Sequence, residues 1–279
     1  MLASLLLSVA LISGTSEPDT SARLPRGGSV EIDAHARNVN IRTGTTDAVT
    51  VRNGTLDTDG KTISISADDL LRTQGGTMEV LLPAWARVSV STYTGNVTVD
   101  GAPVRLEVES FQGSIRVSGG SGALELASVA GTISVSDFKG TQLSIDATGG
   151  DVTVTNATGR MEVSSINGAV RMRGIRSPHV EASSVSDGLE FEGPLAADGH
   201  YEFSSHAGGV VLTLPADVSA RFTVELFSGK FLTQIPATRP GDRNDDDGND
   251  FTAVFGKGAA HVEVSSFSGD IRVLKAGGR

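Results

Sequence analysis

The chain has 279 residues, of which 38% are hydrophobic, with a net charge of -10 and no cysteine. That length and apolar content can bury a core and exclude a disordered chain, while the acidic balance removes the basic surface that nucleic-acid binding requires. Disulfides, cysteine zinc sites, thiol nucleophiles and an acylated cysteine are excluded as well.

The first element is the run "MLASLLLSVALISGTSEPDTSA", with an apolar stretch from Leu2 to Ile12 followed by small residues. It is too short to span a bilayer as a mature helix, so residues 1–16 read as a signal peptide with cleavage near Gly14 to Ser16. Export to the periplasm, cell surface or exterior follows, and no later segment is long enough to span a membrane. Residues 24–82 then hold less regular alternating runs, "SVEIDAHARNVNIR", "AVTVRN", "TISISA" and "TMEVLLP". These are expected to start a repetitive β structure and cap its open edge.

From Val88 onward one unit recurs, Φ-x-Φ-x-[ST]-x-x-G-x-Φ-x-Φ, with Φ apolar. It starts at Val88, Leu106, Leu124, Leu143, Met161, Val180, Tyr201, Phe222 and Val262. Spacings are 18 to 21 residues until one jump of 40. Period-two alternation on both sides of the glycine means two short strands per unit, each with one face inward. Eight of the nine corner positions are Gly, the exception being Asp187, and a positive φ at a tight corner is the expected reason. One coil cannot bury its apolar side chains alone, whereas stacked coils form continuous columns of Val, Ile and Leu. The expected fold is therefore all-β, a parallel β-solenoid over residues 83–275, right-handed by the handedness of parallel crossovers. Nine coils at about 4.8 Å give a rod about 40 Å long.

The jump contains "IPATRPGDRNDDDGNDFTAVFGKG", read as an acidic loop insertion over 236–250 that projects from the rod. An EF-hand frame with Gly248 at position six fits Asp245 and Asp247 to positions three and five but puts Arg243 where an Asp is required and leaves position twelve without Glu, so the run reads as a solvated acidic loop, with a weak calcium site as the alternative. The units "SFQGSIRV", "SVAGTISV" and "SINGAVRM", the terminal "GKGAAHVEVSSFSGDIRV" and the "LP" pairs at Leu82–Pro83 and Leu214–Pro215 resemble the DUF4097 "putative adhesin" family of β-solenoid envelope proteins, from Gly28 to Val273. The resemblance implies a binding or scaffold role in a bacterial envelope and brings no catalytic motif.

The residues themselves offer little chemistry. His35, His179, His200, His206 and His261 show no paired metal spacing, and His206 takes a corner position held elsewhere by Phe111, Phe227 and Phe267. Ser110, Ser128, Ser165, Ser184, Ser205 and Ser266 share one repeat position and are expected to hydrogen-bond from coil to coil. No catalytic, cofactor or metal residue is assigned. The one candidate surface is a strip of outward positions flanking the first strand, with Arg105, Arg160, His179 and His200 in one column and Glu107, Glu162, Glu181 and Glu202 in the next. Its expected role is an ion-pair ladder that also sets register, or a charged binding strip. The chain thus reads as a non-enzymatic binding, adhesin-like or scaffolding module, its partner an envelope protein or glycan. The rival readings are a carbohydrate-active β-helix enzyme, which needs acids converging in a cleft, and a mechanical spacer.

Overall fold

The computed structural model describes residues 19–67, 76–239 and 250–277; the expected signal peptide and most of the acidic loop lie outside them. Within them the chain forms 26 strands, β1 to β26 in chain order, arranged as two sheets of 13 strands each. Each coil places one strand in each sheet. The coil from Leu106, for example, contributes β10 (Arg105–Gln112) to the second sheet and β11 (Ile115–Ser118) to the first.

Pairing is parallel and in register, with Leu106 opposite Val88 and Leu124, and Ile115 opposite Val97 and Ile133. Register is strict because a one-residue slip would turn every inward Val, Ile and Leu to solvent. Inward residues such as Leu106, Val108, Ile115 and Ile133 are completely buried. The core is a set of apolar columns running the length of the molecule, and the β-solenoid expectation holds.

The corner glycines have a different main cause from the expected one. Gly150 does adopt a positive φ of 112°, yet Gly95, Gly131 and Gly168 are not among the positive-φ residues. There the constraint is approach between coils, since a Cβ on Gly95 would sit inside the carbonyl oxygen of Arg37, and one on Gly131 inside that of Gly113. Only hydrogen fits between stacked corners.

The serine column behaves largely as expected. Ser184 Oγ donates to Gly168 O at 3.2 Å and Ser205 Oγ to Asp187 O at 3.2 Å, each reaching the neighbouring coil. Ser128 Oγ, buried in the same column, has no hydrogen-bond partner among the described residues. A second ladder runs beside it, one that the repeat pattern does not announce. Asn38 Oδ1 accepts from Asn96 N–H at 2.9 Å and Asn96 Oδ1 from Ser114 N–H at 2.8 Å, while Asp151 Oδ1 accepts from Ala169 N–H at 3.0 Å farther along.

Coil order departs from chain order at both ends. β25 (Ala260–Ser268) lies between β20 (His200–Ser205) and β22 (Ala220–Ser228), so the last coil in sequence is the second-to-last in space. Phe251–Phe255, the apolar segment that follows the expected loop, belongs to β24 (Asp250–Phe255), which pairs antiparallel with β22 and closes that edge. Aromatic packing explains the arrangement: Phe222 meets Phe255 at 4.9 Å and Phe231 meets Phe251 at 5.3 Å between ring centroids. Placing the Phe-rich coil outermost lets its rings fill the end of the core against β24.

At the other end β2 (Ser29–Asp33) and β3 (Val39–Gly44) form a further coil of the same design. It is inserted between β6 (Thr62–Ser66) with β7 (Met78–Pro83) on one side and β8 (Arg87–Thr92) with β9 (Val97–Asp100) on the other. The repeat pattern hides it, because Ala34 stands in the serine position and Arg37 in the glycine position. Outside it, β4 (Ala48–Arg52) and β5 (Thr55–Asp59) pair antiparallel with β7 and β6, covering edges that would otherwise template aggregation. The two "LP" pairs make the same turn, Ala86 N–H donating to Pro83 O and Val218 N–H to Pro215 O.

Candidate ligand-binding face

The outward side of the second sheet carries four columns, because outward residues recur every second position and each coil repeats them. In the coil from Leu106 they are Arg105, Glu107, Glu109 and Phe111. The first two columns contain the strip named from sequence. Arg105 stacks between Arg87 and Ala123, and His179 between Arg160 and His200. His200 then neighbours His261 rather than Arg221, their rings 5.3 Å apart, because of the inserted coil. Glu162, Glu181, Glu202 and Glu263 run alongside.

The structure brings these residues into columns but scarcely pairs them across. The one cross-column ion pair in the strip among the described residues is diagonal, Arg105 Nη2 to Glu125 Oε2 at 3.3 Å. Like charges lie one coil apart, about 4.8 Å, whereas unlike charges sit on residues two apart, about 6.5 Å along the backbone. Glu202 records the result: burial first, then repulsion from Glu181 and Glu263, push its carboxyl above the ordinary value of 4.5, and the opposing pull of His179 is the weakest influence. Among the described residues no group of three or more His, Cys, Asp or Glu is placed to hold a metal ion.

This arrangement has a measurable sign. A folded-state pKa raised above the unfolded value means the charged carboxylate costs stability, absent below 4.5 and growing as pH rises through the folded value. Glu202→Gln should therefore melt no lower than wild type at pH 7, and its advantage should vanish at pH 4. A mutant less stable at pH 7 would mean that attraction to the histidine column governs instead.

The fourth column is a feature that the repeat pattern alone does not single out. Its members are Tyr93, Phe111, Val129, Thr148, Ile166, Val185, His206, Phe267 and Phe227, in spatial order. Tyr93 is 60% exposed, Phe227 68% and Phe267 46%, and Phe111, Val129, Ile166 and Val185 are comparably open. Rings stack along the rod, Tyr93 on Phe111 at 4.8 Å, His206 on Phe267 at 4.6 Å and Phe267 on Phe227 at 4.5 Å. The signal is present in sequence as the residue after each buried position of the serine column, where Phe111, Phe227 and Phe267 look like corner fillers until their exposure is known.

A shallow groove follows this apolar row at each end of the rod. One, of about 510 Å³, runs past Tyr93, Phe111 and Val129 with Asp33, Glu109 and Asp146 beside them. The other, of about 590 Å³, runs past His206, Phe267 and Phe227 with Glu225 and Asp250. Among the described residues, neither is lined by Lys or Arg.

Two open, mostly parallel sheets wound from stacked coils, with in-register columns on their outer faces, define a β-solenoid of the repeat class and not a closed barrel. The chain belongs to the Toastrack DUF4097 family, whose model matches residues 28–274. Similar solved structures include a "putative adhesin" from Parabacteroides distasonis (TM-score 0.54, 10% identity, covering 92% of this chain and 96% of that one). Another is a "putative adhesin" from Bacteroides fragilis (0.51, 12%, 92% and 96%), and a third a "putative lipid binding protein" from Parabacteroides distasonis (0.51, 10%, 92% and 96%). At such identities the likeness is one of fold. No curated protein matches the chain.

Proposed function

We propose that this chain is an exported, non-enzymatic, adhesin-like binding module of the bacterial cell envelope, which holds an envelope protein or glycan along one edge of its rod. The observation that carries this reading is the exposed apolar fourth column. Elsewhere the outward positions of the second sheet are largely Glu, Asp, Arg, His, Ser and Thr, so a row of Tyr, Phe, Val and Ile in the same repeat position is a contiguous patch of the kind that marks interaction surfaces. Its carboxylate neighbours run in parallel columns, an arrangement suited to an extended partner rather than to bond cleavage at one point. The apolar run from Leu2 to Ile12 and the names of the structural relatives support export and the adhesin-like role.

The test uses the mature chain and a variant carrying Tyr93→Ser, Phe111→Ser, Phe267→Ser and Phe227→Ser. Binding to washed cell-wall sacculi and to envelope membrane fractions is measured by co-sedimentation. The variant should keep its melting temperature within a few degrees, because these side chains are largely exposed, and lose at least about nine-tenths of the bound fraction. A folded variant that binds as well as wild type sinks the proposal.

A further inference from the structure

We propose that the groove along Tyr93, Phe111 and Val129 recognises a basic peptide segment in the polyproline II conformation, with a cationic side chain at every third residue. This names a partner class for the apolar edge and rests on the binding-module reading above. Three observations carry it: the sign of the charge in the groove, the spacing of that charge, and the apolar wall beside it.

The carboxylates lining the groove are Asp33, Glu109 and Asp146, and His35 stands beside the first, its Nδ1 2.7 Å from Asp33 Oδ1. The nearest Arg of the same coil as Glu109 is Arg105, two columns away and turned toward Glu125. A field of this sign favours a cationic occupant and disfavours an anionic lipid surface, although an apolar row alone would suit either.

Spacing selects the conformation. In the third column the coils present Asp33, Ser91, Glu109, Ala127 and Asp146 in order. A carboxylate therefore appears on every second coil, about 9.6 Å apart for coils spaced at about 4.8 Å. A polyproline II helix has three residues per turn and rises about 3.1 Å per residue, so one face repeats every 9.3 Å or so. Over the two intervals from Asp33 to Asp146 the mismatch is only about 0.6 Å. An extended strand returns to the same face at about 6.8 Å, and an α-helix after two turns at about 10.8 Å, and both fall out of step sooner.

The wall completes the match. Tyr93 and Phe111 are stacked with ring planes 3° from parallel, so their faces cover one another and their edges form a flat apolar ribbon. Pyrrolidine rings on the other two faces of a proline-rich helix can lie against such a ribbon, as proline-rich segments do in aromatic-lined grooves. Their ordering cost is low because the peptide is already extended when free.

The probe is a repeating Pro-Pro-Arg peptide, measured by fluorescence anisotropy against the full mature chain at neutral pH. Three comparison probes are used: a peptide of the same composition with irregular arginine spacing, a Pro-Pro-Glu repeat, and vesicles of phosphatidylglycerol. The regular peptide should bind at least about tenfold tighter than the irregular one, and the Pro-Pro-Glu repeat and the vesicles should not bind. Glu109→Gln with Asp146→Asn should weaken the regular peptide about fivefold at low salt and less at high salt. Phe111→Ser should weaken it at both. Equal binding of regular and irregular peptides, absence of peptide binding, or preference for the vesicles overturns the proposal. If the peptide fails while the four-residue edge variant still loses envelope binding, the ligand class falls and the binding edge stands. If the edge variant also binds normally, both fall.

Discussion

Replacing Ile133 by Asp should destabilise the fold by more than about 3 kcal/mol. Ile133 is fully buried, between Ile115 and Val152 of the adjacent coils. A carboxylate there would leave water for a column of aliphatic side chains with no cation or donor facing it, so it must either stay charged at high cost or bind a proton. Thr132→Asp, one residue earlier, tests parity. Thr132 is exposed, and its hydroxyl donates to Ser114 Oγ at 3.1 Å, so its loss should cost about 1 kcal/mol or less. Urea unfolding of both variants measures the difference. Equal penalties would mean that strand parity has been assigned wrongly.

The second large effect comes from deletion. Removing Leu106 to Ala123 takes out one whole coil of 18 residues and joins Arg105 to Leu124. Val88 already faces Leu106, which faces Leu124, so the shortened chain can pair Val88 with Leu124 and Val97 with Ile133 without changing any inward position. Circular dichroism should keep its shape and unfolding should remain cooperative. Removing only Leu106 to Ser114 joins Arg105 to Ile115, a residue of the opposite sheet, and every later strand is then half a coil out of place. The half-coil deletion should melt at least about 10 °C below the whole-coil deletion or lose its cooperative transition. If both fold equally well, stacked coils are not what holds this molecule together.

Much of this is legible in the residues because the governing patterns are local. A period of two sets which side chains face inward, and an 18-residue repeat sets which of them stack, so the columns through Leu106, Val108, Ile115 and Val117 follow from counting. The serine ladder follows too, since a hydroxyl recurs at one position in seven of the nine units. The coil from Ser29 to Gly44 escapes because Ala34 and Arg37 break both marker positions while Val30, Ile32, Val39 and Ile41 keep the inward pattern. For the glycines, the repeat identifies the corners, but only the stacked backbone reveals that Gly95 is required by the carbonyl of Arg37 rather than by its own φ.

The charged strip shows where counting stops. Alternation places Glu162, Glu181 and Glu202 beside Arg160, His179 and His200, and the columns exist. Whether they attract across or repel along depends on distances that only stacking sets, and at Glu202 repulsion outweighs attraction. The apolar row at Tyr93 and Phe111 is likewise visible as letters, yet its exposure follows from the outward direction of the strand beyond the buried Thr92 and Ser110.

By itself, then, the sequence determined the repeating coil, its inward columns and the family to which it belongs, because these depend on alternation and period within a few tens of residues. Tertiary structure alone decided the order in which coils stack at the two ends. Any coil can hydrogen-bond to any other with the same parallel ladder, so backbone pairing cannot choose among orders. The choice falls to nonlocal packing, in which Phe222 and Phe231 close the core against Phe255 and Phe251 and leave the last coil in sequence to fill the place beside Tyr201.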